Sequence, residues 1–356
     1  MKMALRWFGS GADSVTLSEI RQIPAVGGVV SSFEDVPVGQ VVPKENILSL
    51  KGEIEAAGLK LYGIESINVH DAIKVAGGDR DFYIENYIRT IQNLGKNGIG
   101  LICYNFMPVF DWLRSELDHP CEDGSFTMKY ESSKIEGIRP EVMIERMRSG
   151  SGGFSLPGWE PERLNRIEEL FDLYAGIDGD TLLSNLIYFL KAIMPACEKY
   201  GVKMAIHPDD PPRPVFGLPR VIYSPESIRR LLNEVNDPYN GLTFCTGSLG
   251  AKRENDLVKM AYEFADRIHF AHLRNIRFTG EKDFEEAAHP SAVGDFDMYA
   301  IAKALYDGGF DGIVRPDHGR MIWGERARPG YGLYDRAMGA CYLSGLFEAI
   351  RKGEKL

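Results

Sequence analysis

Hydrophobic and polar positions along this chain switch repeatedly between two periods. Short apolar runs rich in β-branched and aromatic residues occur at MALRWF (3–8), VGGVVSS (26–32), LKLYGIES (59–66) and GIGLICYNF (98–106). Four more follow at VKMAIHP (202–208), GLTFCTG (241–247), RIHFAHLR (267–274) and DGIVRPD (311–317). Several are almost continuously apolar, the pattern of parallel strands covered on both faces. Between them the period lengthens to a helical one, at 46–58, 81–98, 180–201, 224–235 and 297–309. Glycines punctuate the passage from helix to strand (AGLKLYGI, NGIGLICY, YGVKMAIH, GGFDGIVR), where a helix end needs a residue free of Cβ strain. Eight strands alternating with helices predict a closed (β/α)8 TIM barrel in the α/β class.

The repeat is broken once. Residues 107–179 form an insertion after strand four, with a polar DWLRSELDHPCEDGSFTMKYE, a Ser/Gly stretch (SGSGGFSLPGWEP) and an amphipathic NRIEELFDLYAG. Excursions of this size from a catalytic-face loop serve as lids or oligomer contacts. Residues 1–356 are therefore expected to be a single barrel domain carrying one insertion.

Composition narrows the class. With 44% hydrophobic and 11% aromatic residues the chain has ample material for a core. No apolar run approaches the roughly 18–20 residues needed to cross a bilayer, and MKMALRWFGSGADS is too short and polar for a signal peptide. The five cysteines are dispersed without CxxC pairs, the usage of reduced thiols in a cytoplasmic protein. A net charge of −10 opposes nucleic-acid binding. An acidic protein acting on an acidic substrate must build positive potential locally, which a metal ion and a few arginines supply. The GSGADS segment (9–14) lacks both the dinucleotide pattern and a following GK[ST], so no nicotinamide or phosphate loop is expected.

The chemistry concentrates where strands run out. His207 ends KMAIHPDD, Cys245 ends LTFCTGS, His272 ends IHFAHLRN, and Asp317 ends IVRPDHGR. A barrel of this kind carries its active site at the C-terminal ends of its strands. Two imidazoles, a thiolate and a carboxylate suit Mn²⁺, Fe²⁺, Co²⁺ or Zn²⁺ and not Mg²⁺ or Ca²⁺. His269 competes with His272, but three residues apart in a strand the two point to opposite faces, and His272 lies nearer the mouth. Asp317 and His318 pose the same choice, with Asp317 preferred as ligand because it balances the metal charge and leaves His318 for acid–base work. Asp209 and Asp210 are alternatives whose other role is turn chemistry beside proline. Cys103, flanked by apolar residues, reads as core. Arg6 offers a fork for a substrate carboxylate, and Trp7 a flat apolar face serving substrate or core. Asn105, Arg274, Asn275 and His289 are further substrate-binding candidates, while Arg315 reads as a barrel ion-pair partner.

At these residues the chain resembles the mannonate dehydratases, members of the xylose-isomerase-like barrel superfamily. The motifs are LRWFG with GADSV, CYNFMPVFDW, HPDDPP, TFCTGS, HLRN, FEEAAHPSAVGDFDMY, RPDHGR and PGYGLYDRAMG, in order over nearly the whole chain. The resemblance implies dehydration of D-mannonate to 2-keto-3-deoxy-D-gluconate, with Mn²⁺ or Fe²⁺ on His207, Cys245, His272 and Asp317, in a dimer or higher homo-oligomer. His318 and Tyr331 are the expected acid–base pair, with Tyr334 the rival of Tyr331. An aldose–ketose isomerase of the same superfamily would need more carboxylates at strand ends than Glu65 and Asp317. A sugar-acid-binding barrel would bind mannonate without forming product.

Overall fold

A computed structural model describes residues 1–153 and 166–353. Eight strands close into a parallel barrel in chain order: β1 (Lys2–Arg6), β2 (Gly28–Ser31), β3 (Lys60–Glu65), β4 (Leu101–Tyr104), β7 (Lys203–Ile206), β8 (Asn240–Cys245), β9 (Ile268–His272) and β12 (Ile313–Arg315). Each falls inside or within a residue of an apolar run read from the sequence. Helices at 44–56, 80–96, 179–200, 225–234 and 298–307 fill the intervening segments.

The pleat decides what reaches the mouth. Ala4, Val30, Leu101, Cys103, Ala205, Phe270 and Ile313 form one cluster inside the barrel. Two residues further along each strand, on the same side of the pleat, come Arg6, His207, His272 and Arg315. Register aligns the layer: Glu65 pairs with Cys103, Cys245 with His272, and His272 with Arg315. Neighbouring strands therefore present these side chains at one level.

The outer shell is helical. In the 179–200 helix, Leu182, Leu186, Phe189, Ile193 and Cys197 are buried at helical spacing. Asp178 caps its start by accepting from the Thr181 amide, and Gly201 ends it at φ 67°. Phe189 is fully buried, edge-on to Tyr87 with ring centroids 5.0 Å apart. Phe189→Ala is expected to cost about 3–5 kcal/mol of stability through lost burial and a residual cavity. Urea unfolding checks this, and a loss below about 1 kcal/mol would mean that the shell collapses around the gap.

Between β4 and β7 the chain leaves the barrel. It forms a hairpin of β5 (Glu116–Pro120) and β6 (Phe126–Tyr130), then helices at 140–150 and 167–173. The Ser/Gly stretch lies mostly outside the described residues. A second hairpin, β10 (Asn275–Phe278) and β11 (Phe284–Ala287), follows the seventh barrel strand. The two hairpins join in one antiparallel sheet of order β10-β11-β6-β5. That sheet carries residues from distant parts of the chain to the barrel mouth.

Candidate active site

One cavity at the mouth is lined by Arg6, Glu65, Asn105, Trp112, His207 and Asp210, and by Arg274, Arg315, Asp317, His318 and Tyr331, among others. The ligand atoms of His207, Cys245 and His272 lie within 4.8 Å of one another. Asp317 adjoins them, with Oδ2 3.5 Å from Cys245 Sγ and Oδ1 3.7 Å from His272 Nδ1. Thus the structure brings together all four strand-end residues.

The arrangement fits a metal ion. His272 Nδ1 is buried without a hydrogen-bond partner, a costly state for a nitrogen with nothing to bind. His207 Nδ1 donates to the Pro208 carbonyl at 2.8 Å, which leaves its Nε2 lone pair available. His272 Nε2 faces Glu65 Oε1 at 3.6 Å, the partner its N–H needs when Nδ1 ligates. Arg315 Nε stands 3.0 Å from that same nitrogen. Two N–H groups repel, so ligation requires Nε2 to exchange Arg315 for Glu65. Imidazole, thiolate and carboxylate donors together suit a first-row transition metal.

Asp317 and His318 both line the cavity, although strict alternation would turn one of them away. The strand ends at Arg315, and Asp317 adopts φ 62°, a left-handed conformation uncommon outside glycine. That kink aims two consecutive side chains at one space, and such outliers concentrate at functional sites. His269 sits on the other side of the pleat, where burial drives its pKa down to about 3.

Buried charges surround the cluster. Asp317 pairs with Arg274 Nε at 2.6 Å and with Arg315 Nη2 at 2.8 Å. Burial would raise its pKa, but Arg315, His318 and His272 hold it well below the usual carboxylate range. Glu65 is lowered likewise, burial being outweighed by Arg315, His272 and Arg6. Gly247 makes room for the Arg274 guanidinium: a Cβ there would come within 2.4 Å of Arg274 Cζ. Asp209 accepts the Val221 and Ile222 amides, and Asp210 takes a bidentate Arg114 at 2.7 and 2.9 Å. Both therefore have partners outside the metal cluster.

His318 Nε2 lies 3.1 Å from Tyr331 Oη. Burial raises the Tyr331 pKa, so its hydroxyl stays protonated near neutral pH. Tyr334 is 43% exposed and lies tilted beside Trp323 with ring centroids 5.5 Å apart, outside this lining. Arg6 lines the cavity with its Nη1 3.5 Å from Glu65, and its buried Nε has no hydrogen-bond partner. Asn105 Nδ2 donates to Asp111 at 3.0 Å.

Trp7, Asn275 and His289 stand outside the lining. Since Arg6 faces inward, Trp7 faces the shell, where its indole donates to the Val15 carbonyl. Asn275 Oδ1 accepts the Ile276 and Phe296 amides and so ties down a loop. His289 Nε2 bonds the Pro316 carbonyl at 2.7 Å, bracing the segment that carries Asp317.

Three buried groups at this site were not read from the sequence. Arg114, from the insertion, bridges Asp210 and Glu286. Glu286 reaches His318 Nδ1 at 2.9 Å. Among the described residues, the Arg336 guanidinium donates to the backbone carbonyls of Arg6, Tyr331 and Gly332. Period-2 alternation in FEEA, with Phe284 and Glu286 on one face, was the signal that could have exposed Glu286.

Fold and site together define a metal-dependent (β/α)8 enzyme with a buried histidine–tyrosine pair beside its donor cluster. The family model "D-mannonate dehydratase (UxuA)" matches residues 1–356. A mannonate dehydratase from Thermotoga neapolitana is 56% identical over 99% of this chain and 98% of its own length. That of Lactococcus lactis subsp. cremoris is 56% identical, with each chain covered in full. The crystal structure of mannonate dehydratase from Streptococcus suis serotype 2 superposes with a TM-score of 0.88 at 46% identity, covering 100% of this chain and 95% of that one. The chain belongs to the D-mannonate dehydratase family and is a hydro-lyase.

Proposed function

We propose that this chain converts D-mannonate to 2-keto-3-deoxy-D-gluconate in hexuronate (glucuronate) breakdown, with Mn²⁺ or Fe²⁺ held by His207, Cys245, His272 and Asp317. The observation that carries this reading is the His318–Tyr331 pair, buried and lining the same cavity as His207 and Asp317 of the donor cluster. Dehydration takes the proton α to a carboxylate and expels the neighbouring hydroxyl as water. One group must accept a proton while another delivers one. His318 Nε2 and Tyr331 Oη share a hydrogen bond and can exchange that proton between them. The metal, when bound, supplies Lewis acidity toward the charge that develops on the substrate oxygens. Arg6, with an unpartnered buried Nε, is suited to grip the substrate carboxylate. Arg274 and Asn105 line the same space and can orient hydroxyl groups.

The insertion serves as a lid in this reading, since Trp112 lies over His318 with ring centroids 5.7 Å apart. All five cysteines are free, which supports a reducing, cytoplasmic setting. A homo-oligomer is supported by an exposed apolar patch of Trp323, Tyr334 and Met338. A monomeric mass in solution would remove that last element.

Anaerobic turnover of D-mannonate by metal-stripped protein, before and after Mn²⁺ is restored, tests the reading. Formation of 2-keto-3-deoxygluconate only after restoration is the expected result. No product from protein with metal demonstrably bound would overturn the substrate assignment.

A further inference from the structure

We propose that Glu286 is a positioning residue for the reaction, accepting the His318 Nδ1–H and so holding Nε2 free toward Tyr331 and the cavity. This rests on the acid–base reading of His318 given above. Glu286 lies 2.9 and 3.0 Å from Nδ1 through its two oxygens, and both residues are buried. Burial alone would raise the Glu286 pKa, but Arg274, His318 and Arg114 bring it down to about 2. An ionised carboxylate can only accept, so the hydrogen on the imidazole faces it at Nδ1. The nitrogen left for proton exchange is Nε2, 3.1 Å from Tyr331 Oη.

Glu286 is itself held on its other side. Its Oε1 accepts from Arg114 Nη2 and Arg274 Nη1, both at 2.7 Å. Arg114 comes from the insertion, Arg274 from the end of β9 and Glu286 from β11. The tautomer of His318 is thus set by residues from two excursions above the barrel, the insertion after β4 and the hairpin segment after β9.

Glu286→Gln turns this arrangement against itself. Arginines only donate, so the amide oxygen takes the Oε1 place and the NH₂ group takes the Oε2 place, 3.0 Å from His318 Nδ1, where it disfavours a hydrogen on that nitrogen. The hydrogen then shifts toward Nε2, pointing at the Tyr331 oxygen, because Nδ1 faces a donor and a neutral oxygen in place of a full carboxylate. By the logic of an isosteric amide in a Ser-His-Asp triad, where the wrong tautomer disables the histidine, kcat is expected to fall about 100-fold. KM should stay within about threefold, with metal content as in the native chain, while the unfolding midpoint falls because Arg114 and Arg274 lose a buried counter-charge. Glu286→Asp, which restores the charge, should recover part of the loss.

The decisive readout is the ¹⁵N spectrum of histidine-labelled protein loaded with diamagnetic Zn²⁺, the His318 signals being assigned by their absence from His318→Asn. The native chain should show a protonated Nδ1 and a bare Nε2, and Glu286→Gln the reverse. A native His318 protonated at Nε2 alone would overturn the proposal even if the variant failed to fold. So would a Glu286→Gln enzyme with kcat within threefold of the native value. Absence of mannonate turnover in the native chain would sink the dehydratase reading while leaving the tautomer measurement intact, so the two failures are distinguishable.

Discussion

Asp317→Asn is expected to lower kcat/KM for D-mannonate by at least about 10³-fold and to deplete bound metal after dialysis. Asparagine has nearly the same shape and tolerates the left-handed backbone at φ 62°, so the kink survives. What disappears is one negative charge at the point where the cluster needs it most. Asp317 stands 3.5 Å from Cys245 Sγ and 3.7 Å from His272 Nδ1, and it compensates Arg274 and Arg315. A neutral amide leaves two buried guanidinium groups short of a partner, a costly condition in a low-dielectric interior. Metal-assisted charge stabilisation contributes several kcal/mol to such a transition state, and each 1.36 kcal/mol is tenfold in rate, hence a loss of about 10³. Metal content and steady-state kinetics at saturating Mn²⁺ check the two halves separately. Retention of both metal and native turnover would remove Asp317 from the ligand set.

The barrel was legible because burial on both faces writes parallel strands as nearly continuous apolar runs. MALRWF, VKMAIHP and GLTFCTG announce themselves without reference to anything else in the chain. The two hairpins at the mouth carry no such mark. ELDHP, FTMKY, NIRF and FEEA are short and polar, and the two local hairpins they form become one sheet because FTMKY pairs with FEEA across more than 150 residues of sequence. Local propensity cannot report an interaction that distant. The same limit governs the site. His207, Cys245 and His272 could be found because each ends a recognisable strand, and pleat alternation separates His272 from His269. Asp317 and His318 were both expected at the mouth on chemical grounds, but the backbone angle that breaks the alternation and lets both face the cavity was not legible. Glu286 and Arg114 were hidden more deeply. They meet across 172 positions, and Arg114 meets Asp210 across 96, so no spacing rule connects them. Trp7 shows the converse: its neighbour Arg6 faces the cavity, and adjacency in a strand is what sends the indole the other way.

His318→Asn separates proton transfer from everything else the histidine touches. The asparagine amide nitrogen falls near the place of Nδ1 and can still donate to Glu286, so the Arg114–Glu286–Arg274 network keeps its partner. Asn also leaves Asp317 and the donor cluster unaltered, and metal content should match that of the native chain. Only the ring nitrogen facing Tyr331 is lost. Removal of a positioned general acid or base typically costs between about 10² and 10⁴ in rate, and the loss is expected in kcat with KM changed by no more than a few-fold. That split matters, because a residue that merely bound substrate would move KM instead. Tyr331→Phe provides the complementary measurement, since it deletes the hydroxyl 3.1 Å from Nε2 and keeps the ring that packs edge-on against Phe8. If the two groups act as one proton-exchanging unit, the double variant should lose little more than the worse single one, because residues that work as a unit are not additive. A double variant that multiplied the two losses would show His318 and Tyr331 working on separate steps. A His318→Asn enzyme with native kcat and full metal occupancy would exclude His318 from the chemistry altogether.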